Sequence, residues 1–280
     1  MPASRPSLLY VTDLAYPANG RRYGDEDARL TARLREYFDL ALCHPLDARA
    51  LMGRFDAVVV RNSGPVLHYQ EEYEAFRRAA LAEGVLVYNP LTGRGDMAGK
   101  QYLLDLSAAG EAVIPTADGD GGAPAVRAAL PGVERYVVKP RHGADSVGLR
   151  TVGADALAGE DLAGCLVQPY VPFRHEVSFY YVDRDFQYAL YAPDPGRRWE
   201  LVPYAATEAD LAFARRFVEW NTLAHGIQRV DACRTEDGGL LLVELEDLNP
   251  YLSLDLVDDA TGETFVQAMR GSVEALLREG

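Results

Sequence analysis

Only two lysines occur in this chain, Lys100 and Lys139, while all the other members of its 28 lysine-plus-arginine residues are arginine. An ammonium is a compact point charge on a flexible stem, whereas a guanidinium is a broad planar fork. A phosphate in a tight, dry cleft can therefore select the first over the second. Lys139 closes the apolar run Tyr136–Lys139 and is followed by Pro140, Gly143, Ser146 and Gly148. Glycines let backbone N–H groups come close to a polyphosphate, and the Ser146 hydroxyl adds a donor. Glycines alone would equally make a plain hairpin loop; the Lys-Pro pair and the Ser-x-Gly step make the segment a candidate anion cradle. Lys100 follows Gly99, as in a phosphate-binding P-loop, but Arg94 and Gln101 stand where that motif needs a glycine and a hydroxyl residue. The P-loop is thus excluded, and Lys100 is expected to begin a helix and reach a phosphate from the side.

Oxygen ligands cluster further on. In Gln228–Pro250 two strand-like runs flank a Glu-Asp-Gly-Gly turn and carry Arg229, Asp231, Glu244, Glu246 and Asn249. Side chains alternate along a strand, so Arg229 and Asp231 share one face, and Glu244 and Glu246 share one face of the partner. Adjacent acids are commonly a solvated face. These interrupt an apolar run, LLLVEL, where leaving them unpaired would be costly, so Asp231, Glu244, Glu246 and Asn249 are candidate ligands for Mg²⁺. Asp247, Asp255, Asp258 and Asp259 read as surface charge. A third segment, Leu166–Glu176, passes from strand to loop at Gln168, Tyr170 and Val171, whose backbone could read an adenine edge, and Glu176 could accept from ribose hydroxyls. His142 and His175 lie near these motifs, but neither stands out as a general base.

The elements that must position these groups fall into three stretches. Before Asn89-Pro90, strand patterns (Ser7–Thr12, Asp56–Val60, Val85–Tyr88) alternate with helix patterns (Asp25–Phe38, Gln70–Glu83), which implies a parallel sheet flanked by helices. Ala98–Ala109 reads as a helix stopped by Gly110, and Ala117–Pro124 as a glycine-rich surface loop whose spacing fails the dinucleotide fingerprint. Short strands follow at Tyr136–Lys139, Gly148–Gly153 and Leu166–Gln168. Val177–Val182 and Phe186–Tyr191 form a hairpin about Asp183-Arg184-Asp185. Thr207–Leu223 is a helix with a capping box at Thr207 and Asp210. Strands Ile227–Cys233 and Leu240–Leu245 precede a last helix from about Thr261.

At 280 residues with a net charge of −14, the chain can hold two or three packed units and lacks the basic surface that nucleic acid requires. Cys43, Cys165 and Cys233 are odd in number and widely spaced, and the five histidines show no metal-ligand spacing. A reducing cytoplasm is expected, with no signal peptide and no membrane span.

Taken together, these segments resemble the ATP-grasp superfamily of carboxylate–amine ligases. Asn89–Thr116, Arg229-Val230-Asp231 and Val243–Pro250 are most similar to the branch containing D-cycloserine synthetase. The resemblance implies an α/β chain, α+β in its ATP-binding half. An N-terminal parallel-sheet domain (1–90), a central lid domain (91–170) and a C-terminal antiparallel-sheet domain (171–280) would make it up. It implies ATP and two Mg²⁺ as cofactors. Lys100, Lys139, Gly143, Ser146, Gly148, Gln168, Tyr170, Val171 and Glu176 would hold the nucleotide; Asp231, Glu244 or Glu246, and Asn249 the metal. Arg229, with Lys139, would steady the transferred phosphate. The partners would be amino-acid-like carboxylate and amine substrates, and relatives of this fold commonly form homodimers. One spacing departs from the family: the usual Glu-x-Asn is here Glu246-x-x-Asn249. The competing functions are a small-molecule kinase on the same fold and a nucleotide-binding regulator without turnover.

Overall fold

The computed structural model describes residues 5–18, 21–62, 66–143, 146–194, 196–248 and 250–280, with the side chains of 17, 18, 21–23, 62 and 66–68 left aside. The first unit runs β1 (Ser7–Thr12), β2 (Pro17–Ala18), β3 (Arg21–Arg22), α1 (Tyr23–Leu34), β4 (Asp39–Cys43), α2 (Ala48–Leu51), β5 (Ala57–Asn62), α3 (Val66–Glu83) and β6 (Val87–Tyr88). Its sheet has the order β4-β1-β5-β6 and is parallel throughout, as alternating strands and helices demand. Leu8, Leu9 and Tyr10 on β1 are wholly buried, because helices cover both faces of such a sheet. β4 escapes the sequence reading: DLALC is short and only partly buried, so its apolar signal is weak.

The second unit contains α4 (Tyr102–Ala108), β7 (Ala117–Asp118), α5 (Gly122–Ala129), β8 (Arg135–Pro140), β9 (Arg150–Gly153) and β10 (Cys165–Pro169), with an antiparallel sheet ordered β7-β10-β8-β9. Two expectations change here. Lys100 does not begin the helix; it sits in a turn two residues before α4. Ala117–Pro124 is not a plain surface loop but a strand, a 3₁₀ turn and the start of α5. Asp118 caps that turn through the Asp120 N–H (2.9 Å), and Pro124 is tolerated because it lies in the first turn of α5. Gly119 is required by packing, since a Cβ there would lie 2.4 Å from the Leu162 carbonyl oxygen.

The third unit comprises β11 (Phe173–Val182), β12 (Asp185–Ala192), β13 (Val202–Pro203), α6 (Glu208–Asn221), β14 (Ile227–Thr235), β15 (Leu240–Glu246) and α7 (Asp259–Glu279). Its antiparallel sheet is ordered β13-β12-β11-β14-β15. The capping box at Thr207 and Asp210 is present, and Asp258, a surface charge as expected, also caps α7 through the Thr261 N–H at 2.8 Å. Among the described residues no helix is long and apolar enough to cross a membrane.

One apolar cluster joins the first and third units: Leu8, Tyr10, Leu30 and Val59 pack with Tyr180, Tyr188, Ile227 and the α7 residues Phe265, Met269 and Val273. A second lies under the other face of the third sheet, where Val230, Ala232, Phe179 and Leu245 meet Tyr102 and Leu106 of α4 and Phe217 of α6. Asn89 pins the junction. Its Nδ2 donates to the carbonyls of Ile227 and Asp247 (both 2.6 Å), and its Oδ1 accepts from the Ile227 N–H at 2.7 Å. Asn89→Ala leaves these buried backbone groups unpaired and should lower the unfolding free energy by about 2–4 kcal/mol. Urea denaturation checks this, and a change inside experimental error would contradict the role given to Asn89.

Candidate functional site

The registers of β11, β14 and β15 assemble one polar face. Arg229 lies opposite Glu246 and Asp231 opposite Glu244; on the other side, Tyr180 faces Arg229, Ser178 faces Asp231 and Glu176 faces Cys233. Alternation sends all of these to the same side of the sheet, while Val230, Ala232 and Leu245 turn to the core. Register slips between Asp231 and Ala232, so Val243 is a bulge residue with no partner across β14.

Arg229 organises the acids. Its Nε and Nη2 hold both carboxylate oxygens of Asp231 at 2.8–3.2 Å, its Nη2 also pairs with Glu246, and its Nη1 donates to the Tyr251 carbonyl at 3.0 Å. Burial acts against this guanidinium, but Asp231 and Glu246 more than offset it and hold it firmly charged. Glu246 is pushed up to about 8, chiefly by burial, with Arg229 opposing and Asp231 adding to the shift.

Both lysines reach this face, and both are buried, 6 % exposed for Lys100 and 7 % for Lys139. Lys100 pairs through Nζ with Glu244, and burial holds its ammonium below the ordinary lysine range. Lys139 has a poorer partner, the bulge carbonyl of Val243 at 3.4 Å. Burial, then the nearby cations Lys100 and Arg198, push Lys139 down to about 7, with Glu176 opposing. The two lysine-bearing segments are stitched together: the Lys100 N–H donates to the Arg141 carbonyl at 2.9 Å. Gly99, at φ +85°, packs where a Cβ would lie 2.7 Å from the His142 ring.

The other sequence candidates fall around this centre. Glu176 is paired with Arg198 at 2.8 Å, and burial raises its carboxyl above the usual range. The Gln168 side chain is turned away to the Thr116 hydroxyl, to which its Nε2 donates at 2.8 Å. The Tyr170 N–H is taken by the Arg135 carbonyl at 2.8 Å, which removes it from any adenine edge, and the Arg135 guanidinium stacks on the exposed Tyr170 ring at 3.7 Å. Val171 follows in the link from β10 to β11. Gly143, Ser146 and Gly148 lie in the loop between β8 and β9; Gly148, at φ +76°, packs where a Cβ would be 2.8 Å from the Pro140 ring. Asn249 lies outside the described residues.

Two positions around this face escape the sequence reading. Arg198 sits in a charged loop beside the similar Arg197, with no pattern to mark it. Asp247 is not surface charge: it is wholly buried and accepts from the backbone N–H groups of Gly95 and Met97 at 2.8 Å. Strand alternation carries the signal, since Asp247 shares the parity of the core residue Leu245.

Among the described residues no group of three or more His, Cys, Asp or Glu forms a ready cage for a metal ion. The carboxylates of Asp231, Glu244 and Glu246 instead hold Arg229 and Lys100. Mg²⁺ takes one or two carboxylates together with substrate phosphates and waters, so this donor set fits an ion that arrives with a polyphosphate.

Lys139 imposes a cost whose pH dependence has a definite sign. Its folded value near 7 lies below the unfolded value of about 10.4. Below pH 7 both states are protonated and the folded chain bears the full cost of the buried ammonium. As pH rises toward the unfolded value, the cost disappears. Lys139→Met keeps the stem and removes the charge, and should raise the unfolding free energy by about 1–3 kcal/mol near neutral pH. That advantage should shrink between about pH 7 and pH 10 in urea melts of both proteins. A difference that is flat with pH, or a destabilised variant, would contradict it.

No family model matches the chain, and no curated protein sequence matches it. Solved structures do. D-cycloserine synthetase DcsG superposes with a TM-score of 0.73 at 24% identity, over 96% of this chain and 99% of that one. ATP-grasp ligase PsnB, in complex with a phosphomimetic variant of its minimal precursor, Mg and ADP, gives 0.68 at 15% identity, over 96% and 99%. D-alanyl-alanine synthetase A from Vibrio cholerae O1 biovar eltor gives 0.65 at 16% identity, over 99% of both chains. Near-complete coverage in both directions identifies the architecture: this chain has the ATP-grasp fold.

Proposed function

We propose that the protein is an ATP-dependent carboxylate–amine ligase acting on small, amino-acid-like substrates. The observation that carries this reading is the pair of buried lysines on one face, of which Lys139 finds, among the described residues, no hydrogen-bond partner better than a carbonyl at 3.4 Å. A buried cation so poorly matched is stabilised by an anion, and an adjacent row of carboxylates suits the metal that accompanies a polyphosphate. The division into 1–90, 91–170 and 171–280 is supported by the sheets, which lie within those intervals.

On this reading Lys100 and Lys139 neutralise non-reacting phosphate oxygens, and the lid loop with Gly143, Ser146 and Gly148 offers backbone N–H groups and a hydroxyl. The backbone of Gln168, Tyr170 and Val171 borders adenine, and Glu176 takes the ribose. Asp231 with Glu246 or Glu244, and Asn249, would hold up to two Mg²⁺, which would supply neutralisation of phosphate charge. A substrate carboxylate oxygen attacks the γ-phosphorus and ADP leaves. The amine nitrogen then attacks the acyl carbon, losing a proton as phosphate departs, which gives an amide or a ring. Arg229 stabilises the phosphoryl charge. The protein contributes position and fixed charge rather than covalent chemistry. The likeness to D-cycloserine synthetase makes specialised metabolism of amino-acid derivatives, antibiotics included, the setting to screen first. A cytoplasmic location and a homodimer belong to the same proposal.

Incubation with ATP, panels of amino acids and hydroxylamine should release phosphate and yield a hydroxamate. A stable phosphorylated product without hydroxamate would establish a kinase instead, and no ADP across the panel would favour a regulator without turnover. Lys139→Ala should abolish ATP-dependent turnover without unfolding the chain. Lys139→Arg should lower kcat/KM roughly a hundredfold, because the planar fork cannot reproduce the point charge. Near-normal turnover in Lys139→Ala sinks the assignment.

A further inference from the structure

Two acids outside the polar face form a reciprocal clamp. Asp247, the residue after Glu246, accepts the Met97 N–H on Oδ1 and the Gly95 N–H on Oδ2, each at 2.8 Å. Asp96, in the turn that leads to Lys100, accepts the Asp247 N–H at 2.7 Å and the Leu248 N–H at 3.0 Å, both on Oδ1. Each carboxylate thus binds the backbone of the segment that carries the other. Two glycines allow the approach: a Cβ on Gly93 would lie 2.4 Å from Asp247 Oδ2, and one on Gly95 would lie 2.7 Å from the Leu245 carbonyl oxygen. Nearby, the Tyr102 hydroxyl accepts the Leu245 N–H at 2.7 Å, a further tie between the start of α4 and β15.

We propose that Asp96 and Asp247 are positioning residues that fix Lys100 against the carboxylate row at the end of β15. Lys100 enters the site from a turn, not from a helix or strand, so no ladder of its own sets its distance from Glu244 and Glu246. The four backbone bonds of the clamp supply that restraint, and a bound polyphosphate needs it because ammonium and metal-binding carboxylates must meet neighbouring oxygens at one spacing. This rests on the nucleotide reading above.

The two acids differ in a way that gives the test. Asp247 uses both oxygens, so asparagine there must present an NH₂ group to a backbone N–H. Asp96 places both of its backbone bonds on one oxygen and also meets the Asp247 carboxyl, so asparagine can keep both backbone bonds and offer its NH₂ group to that carboxyl. Binding of the β,γ-imido analogue of ATP with Mg²⁺ is measured by titration calorimetry, with circular dichroism melts establishing that each variant is folded at the working temperature. Asp247→Asn should raise the Kd about tenfold or more, while Asp96→Asn stays within about twofold of the parent. Gly93→Ala, which displaces the turn with both acids intact, should weaken binding as Asp247→Asn does, and it decides the matter if Asp247→Asn fails to fold. Parental affinity in folded Asp247→Asn and Gly93→Ala overturns the clamp while leaving the nucleotide reading standing, as does an Asp96→Asn variant as weak as Asp247→Asn. A parent chain that binds no nucleotide overturns both.

Discussion

Two ammonium groups buried beside each other are the constraint around which the rest of the structure is arranged. Like charges in a medium of low dielectric repel, and each has also surrendered its water. The fold answers one of them. Lys100 meets Glu244, and Arg229 is matched by Asp231 and Glu246, whereas Lys139, among the described residues, has as its hydrogen-bond partner the Val243 bulge carbonyl at 3.4 Å. Such a face cannot stabilise itself. It is held by what lies behind it, the apolar side of the same sheet packed on α4 and α6, and by the cluster that joins the first unit to α7.

The first unit does more than cover that cluster. Arg61 is buried on β5, donating to the Pro250 carbonyl at 3.0 Å and pairing with Glu26 at 3.1 Å, and Glu26 accepts the Leu252 N–H at 2.9 Å. The Tyr251 carbonyl between them accepts from Arg229. One short loop therefore joins the N-terminal sheet to the arginine at the centre of the carboxylate row. Burial raises Glu26 to about 7 even though Arg61 opposes the shift. Its backbone bonds and the Arg61 fork are the compensation that lets an acid sit at this junction.

What the sequence made legible follows a physical division. Long-period patterns came through: the parallel unit from alternating strands and helices, and the shared face of Arg229, Asp231, Glu244 and Glu246 from strand parity. Lysine scarcity pointed at two residues that the fold brings to one face. Features set by close approach were hidden. The segment Ala117–Pro124 looks like a loop because its glycines serve packing against Leu162 and Cys165 rather than flexibility. Lys100 looked like the start of a helix because Gly99 gives no hint that it packs on His142. Arg198 and Asp247 act through partners distant in the chain, which no local pattern encodes. Tyr170 shows the converse: the strand-to-loop transition was visible, but the loss of its N–H to Arg135 was not.

The distribution of partners also orders the events that the proposed reaction would require. Arg229 and Lys100 already have carboxylates, so a metal reaching Asp231, Glu244 or Glu246 must displace a protein cation from its acid. A bare divalent ion would leave that cation buried and unanswered, at a cost of several kcal/mol. An anion arriving with the metal removes the difficulty, because its oxygens receive the ammonium and guanidinium groups that the carboxylates release. Lys139 gains most, having the least to lose. The face is thus matched to a metal–polyphosphate complex as a unit, and poorly matched to the ion alone. The same reasoning explains why a donor set with no preformed three-carboxylate cage among the described residues is compatible with metal-dependent chemistry.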